Sequence, residues 1–122
     1  MKNFKELRIW QKGIDLVKMT YQLAKQFPKE EKYELVSQVI RSARSACSNI
    51  SEGHGRYTYK DQLHFCIQSR GSVLETLNHM IDAYDCNYID SETLKNFEEK
   101  ITTTEKLLNG YIAFLRGAGN QN

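Results

Sequence analysis

Arg70 stands in a line of apolar residues, Leu63, Ile67, Leu74, Leu77, Ile81 and Tyr84, that steps by four and three. A guanidinium on a core-facing position needs a partner, because burying an unpaired charge is costly. Glu75 is five residues away, a poorer spacing on a helix than three or four, whereas Glu52 belongs to a neighbouring segment and can approach from across an interface. Arg56, four residues after Glu52, competes for the same carboxylate. With Asn49, the residues Glu52, Arg70 and Glu75 are expected to form a structural polar network at the core edge or between subunits. The sharper alternative is contact with an anion or a nucleic acid.

Other chemistry-bearing residues do not assemble into a reaction centre. His64 and His79 are fifteen residues apart, about 22 Å along one helix, so they cannot share an ion within one chain. Glu75 and His79 are four apart, and the repeated Glu-x-x-His of a di-iron bundle is missing. Cys47, Cys66 and Cys86 show no zinc spacing, and a scattered odd set suits reduced thiols and a cytoplasmic protein. The serines contain no Gly-x-Ser-x-Gly elbow, and Gly53-His54-Gly55 is too short for a phosphate loop. The expectation is a non-enzymatic protein without metal or cofactor.

Charge placement says more than the total. The net charge of +2 resolves into +4 over residues 1–28, +1 over 29–58, −2 over 59–86 and −1 over 87–122. Lys2, Lys5, Arg8 and Lys12 predict a basic patch at one end, and Arg41 and Arg44 add a second group on the adjacent helix. A modest patch of this kind binds phosphate backbones better when an oligomer repeats it. Weak RNA or DNA binding without sequence preference is therefore the alternative to an oligomeric scaffold.

These side chains must be positioned by helices. The chain has 122 residues, 40% hydrophobic and 26% charged, with one Pro and seven Gly. That suits a single domain, here residues 1–122, with room for long helices. Four periodic stretches predict helices over 7–26, 30–53, 59–86 and 91–116. Phe27-Pro28, Gly53-His54-Gly55 and Asn87-Tyr88 separate them. Short connections make successive helices antiparallel neighbours, so the expected fold is an all-α, up-down-up-down four-helix bundle.

The predicted core places Trp10, Ile14, Val17 and Tyr21 inward on the first helix and Leu35, Val39, Ala43, Ala46 and Ile50 on the second. Leu63, Ile67, Leu74, Leu77 and Ile81 follow on the third, then Leu94, Phe97, Ile101, Leu108, Ile112 and Leu115 on the fourth. Small residues from Ser42 to Ser51 read first as a tight helix crossing and second as a surface kept clear for a ligand. The polar opening from Met1 to Leu7 lacks a secretory pattern, and no run is long enough to span a membrane.

Ordered blocks along the chain resemble a known family. They are Phe4-Lys5-Glu6-Leu7 with Ile9-Trp10-Gln11-Lys12, Phe27-Pro28 with Glu31, Tyr33 and Leu35, and Ser37-Gln38 with Arg41. Ser48-Asn49-Ile50-Ser51-Glu52-Gly53 with Arg56, then Phe65, Ser69-Arg70-Gly71-Ser72 and Glu75, continue the order. Over about residues 4–116 the chain resembles the small four-helix bundle proteins encoded in intervening sequences of bacterial large-subunit rRNA genes. Asn87-Tyr88-Ile89 is similar to that family's Gly-Tyr-Leu turn. Cys47, Ile40 and Arg44 depart from the common pattern, which has Pro, Arg and an apolar residue there. The resemblance implies a homopentamer and no established catalytic residue. It also implies kinship with the accessory variability determinant proteins of diversity-generating retroelements, basic pentamers that bind nucleic acid and a reverse transcriptase.

Overall fold

The computed structural model describes residues 3–120. A 3-10 turn, Phe4–Glu6, leads into α1, Arg8–Ala24, and a second 3-10 turn, Lys29–Glu31, precedes α2, Leu35–His54. The remaining elements are α3, Tyr59–Asp85, and α4, Ser91–Asn120. Among the described residues there is no strand, and the fold is an all-α four-helix bundle.

Local chemistry sets the boundaries. Thr58 Oγ1 accepts from Asp61 N at 3.1 Å, opening α3 with the expected cap. Asp90 Oδ1 accepts from Thr93 N at 2.8 Å and does the same for α4. Asn87 adopts φ 64 in the turn between them, a left-handed conformation that Asn tolerates better than most residues.

The first helix is shorter than expected, Arg8–Ala24 against 7–26, and two bounds differ by four residues or more. α2 begins at Leu35 rather than 30: Glu30 and Glu31 lie in a 3-10 turn, and Glu34 at φ −111, ψ −101 breaks it from the helix. α4 continues through Gly117 and Gly119 rather than stopping at 116. No described glycine takes the positive φ that makes a glycine a helix stop.

α2 and α3 run antiparallel with a hydroxyl seam between them. Ser42 Oγ and Thr76 Oγ1 share a hydrogen bond of 2.8 Å, Ser72 Oγ donates to Ser45 Oγ at 3.0 Å, and Ser69 Oγ donates to the Ala46 carbonyl at 2.6 Å. Ser42, Ser69 and Thr76 are buried, yet their hydroxyls are satisfied, so the seam carries no unpaired polar cost. The small-residue stretch of α2 is thus a packing surface, as the first of its two readings expects.

The seam turns α3 away from the predicted orientation. Its inward residues are Cys66, Ser69, Val73, Thr76, Met80 and Ala83. Ile67, Leu74 and Ile81, expected in the core, are exposed, and Leu63 and Leu77 are half-buried. α1 is rotated likewise: Ile9, Gly13, Leu16, Thr20 and Leu23 face inward, while Trp10, Ile14, Val17 and Tyr21 are half-buried at the side. The reason is contact distance. A Cβ on Gly13 would lie 2.8 Å from Cys47 Sγ, so α1 and α2 cross where no larger side chain fits. α2 and α4 keep their expected faces, with Val39, Ala46, Phe97, Ile101, Leu108 and Leu115 in the shared core.

Candidate functional site

The four residues expected to form one polar network are separated by the fold into local pairs. Arg70 Nη1 donates to Asn109 Oδ1 on α4 at 2.8 Å, a partner that spacing along the chain does not name. Glu52 is held by Arg56 at 2.6 Å, the competing i, i+4 pair. Glu75 Oε2 lies 3.6 Å from His79 Nε2 on its own helix. Asn49 Nδ2 donates to the Ser45 carbonyl at 2.9 Å and to Ser45 Oγ at 3.1 Å, which ties it to the hydroxyl seam rather than to the other three. Within one chain, Asn49, Glu52, Arg70 and Glu75 are therefore not joined by the hydrogen bonds among the described residues.

The basic candidates also divide. Lys2 lies outside the described residues. Lys5 is exposed, Lys12 is half-buried, and Arg8 lines an apolar groove between the start of α1 and the second half of α4. Arg41 sits in a polar cleft with Gln38, Glu75 and His79 between α2 and α3. Arg44 places its Cζ 5.3 Å from the centre of the Tyr21 ring, a cation–π arrangement that helps hold that ring on the α1–α2 side. Lys32, Arg41 and Arg44 do share one surface, with Val36 and Ile40 as its apolar floor. The lead-in cations and this second group occupy different surfaces.

Burial pushes the Cys47 and Cys66 thiols up to about 11, which suppresses thiolate formation near neutrality. His64 Nε2 is engaged with Gln68 at 3.0 Å. Among the described residues no group of three metal-ligating side chains comes together, and no helix is long and apolar enough to cross a membrane.

An exposed apolar line and a half-buried one flank the bundle. On α3, Ile67, Leu74 and Ile81 recur every seven residues and are 36%, 43% and 37% exposed, with Tyr84 at 38% beyond them. Arg70, bonded to Asn109, places this line on the α4 side of α3. On α1, Trp10, Ile14, Val17 and Tyr21 are half-buried, and the Tyr21 ring lies under Arg44 of α2, whose outward surface includes Val36 and Ile40. The α3 residues carried the sequence reading's core stripe. The signal against that assignment was the parallel line of small and hydroxyl residues, Ser69, Val73, Thr76 and Ala83.

Comparison with known proteins agrees with this architecture. The sequence profile of the family described as 23S rRNA-intervening sequence protein matches residues 5–110. No curated protein matches the sequence. A crystal structure of a protein of unknown function from the S23 ribosomal protein family of Bacteroides thetaiotaomicron superposes with a TM-score of 0.77 at 22% identity. That match covers 85% of this chain and 97% of the other, and it shows the four-helix fold. With the profile spanning most of its length, the chain belongs to the 23S rRNA-intervening sequence protein family.

Proposed function

We propose that this protein is a non-catalytic building block that joins copies of itself head to tail into a ring. The observation that carries this reading is the outward line of Ile67, Leu74 and Ile81 at heptad spacing, which a lone bundle leaves in water. A second, half-buried apolar surface is read on the α1–α2 side, so the two faces that would pair are different parts of one protomer. Such a heterologous contact closes into a ring when its rotation returns the last copy to the first, and gives an open filament otherwise.

Charge supports the same pairing. Lys32, Arg41 and Arg44 border the α1–α2 surface, whereas the residues 59–86 around the α3 line carry net −2. Opposite charges at the edges steer and register two faces more than they tighten them. The count of five rests on the family resemblance alone. A ring of this kind would turn the same bundle end of every copy to one side. Kinship with the accessory variability determinants, and a nucleic acid or reverse-transcriptase partner, belong to the proposal as uses of such a platform.

Sedimentation equilibrium at tens of micromolar tests assembly. The protein is expected to exceed monomer mass, and Leu74→Glu or Ile40→Glu should each give a helical monomer. Mixing those two variants should yield a heterodimer, because each retains the face that the other lacks. A wild-type monomer refutes assembly; no heterodimer on mixing refutes the head-to-tail pairing.

A further inference from the structure

The two lateral faces leave one bundle end open, where the lead-in 3-10 turn, the connection over residues 55–58 and the last turns of α4 meet. Aromatic rings stand in water there: Tyr57 is 99% exposed, Phe114 58% and Tyr59 40%. Phe114 is the middle ring, with Tyr59 edge-on at 6.5 Å and Tyr111 tilted at 5.9 Å. Arg8 and Lys106 share with Phe114 a groove of about 570 Å³. Gly110 helps keep that groove open, since no heavy atom lies within 4 Å of the place a Cβ would take. Lys60 and Arg116 border a second groove of about 290 Å³, over Leu63 and Leu115, where α3 starts and α4 finishes.

The charge at this end is positive although α3 and α4 as a whole are acidic. Besides the Arg56–Glu52 pair, Lys5, Arg8, Lys60, Lys106 and Arg116 have Glu6, Asp61 and Glu105 as their nearest acidic residues along the chain, which leaves an excess of positive charge. A surface that combines exposed rings with separated cations fits a ligand that carries flat π faces and a repeating negative charge. A nucleic acid strand has both, and a duplex hides its base faces in the stack. An acidic peptide would satisfy the cations and leave the rings unused.

We propose that this end binds single-stranded nucleic acid, with bases stacking on Phe114 and Tyr57 and phosphates meeting Arg8, Lys60, Lys106 and Arg116. The site differs from the one expected from the sequence. It uses stacking as well as charge, and it does not draw on Lys12, Arg41 or Arg44. Its test is separable from that of self-association, because neither Phe114 nor Tyr57 belongs to the two apolar lines assigned to self-association.

Fluorescence anisotropy with labelled oligo-U and oligo-dT of about twelve nucleotides, a length within the usual single-strand site sizes, tests the proposal. A duplex of equal length and a polyglutamate peptide serve as competitors. Single strands should bind at low salt, and neither the duplex nor the peptide should displace them at equal concentration. Phe114→Ala should weaken single-strand binding by roughly 5- to 100-fold, the effect of removing one base stack, with oligomer mass and the salt slope unchanged. Tyr57→Ala, at a fully exposed position, should weaken binding without touching the fold. Lys106→Gln with Arg116→Gln should make the salt slope shallower by about 0.7 for each phosphate no longer neutralised. Failure of single strands to bind at low salt overturns the proposal. Equal binding of duplex or polyglutamate also overturns it, as does unchanged affinity in both aromatic variants.

Discussion

Gly13→Ala reports directly on the close crossing that orients α1. In an exposed helix interior this change is stabilising by about 0.8–1 kcal/mol, through propensity alone. Here the new methyl carbon would stand 2.8 Å from Cys47 Sγ and 3.9 Å from Ile50 Cδ1. Both neighbours are buried, and the Cys47 side chain is short, so relief requires α1 to back away from α2. Overpacking of this kind costs about 1–3 kcal/mol. Set against the propensity gain, the net expectation is a loss of about 0–2 kcal/mol. Cys47→Ala removes the obstructing sulfur and should rescue Gly13→Ala. The double-mutant cycle should therefore show a favourable coupling of about 1–2 kcal/mol, within the range for residues in contact. Urea unfolding followed by far-ultraviolet circular dichroism, at one fixed protein concentration, measures all four corners. Gly71→Ala, where a Cβ meets nothing within 4 Å, is the control and should stabilise. If Gly13→Ala stabilises as much as Gly71→Ala and shows no coupling to Cys47, the steric account of the α1 rotation fails.

The orientation of α3 has its own test. Met80→Ala, at a fully buried position, should cost about 2–5 kcal/mol, whereas Leu77→Ala, at a half-buried one, should cost clearly less in the same unfolding assay. Thiol labelling of the native protein should show Cys86, which is exposed, reacting quickly, with Cys47 and Cys66 slow because burial raises their thiols to about 11. Denaturant should equalise the three. Tyr88 Oη donates to Glu31 Oε2 at 2.8 Å, joining the two connections at one end of the bundle, and this bond, with burial, the Glu31 charge and Cys86 adding to it, raises the phenol from 10.0 to about 12. The folded protein then keeps a proton that the unfolded chain loses, so this contribution to stability is complete below about pH 10 and declines from there towards pH 12. Tyr88→Phe should flatten that decline in thermal melts recorded across the range.

The number, order and approximate limits of the helices were legible in the residues because those properties are local. Apolar spacing near 3.6 marks the helices, Thr58 and Asp90 open two of them, and Phe27-Pro28 and Asn87-Tyr88 interrupt the pattern. The inward faces of α2 and α4 were also legible, since each carries one dominant stripe, such as Leu94, Phe97, Ile101, Leu108 and Leu115. α1 and α3 carry two stripes each, and periodicity cannot rank them. Tertiary packing did so, in favour of the smaller and more polar line. Gly13 admits Cys47, and Ser69 and Thr76 find hydrogen-bond partners on α2, so those helices approach closely with every buried hydroxyl of the seam satisfied. The larger stripes were thereby displaced from the core, Trp10 to Tyr21 to half-buried positions and Ile67, Leu74 and Ile81 to exposed ones. The polar candidates followed the same rotation. Arg70 reached Asn109 instead of a carboxylate because its partner depends on how α3 is turned against α4, a relation between segments thirty-nine residues apart that no local pattern encodes.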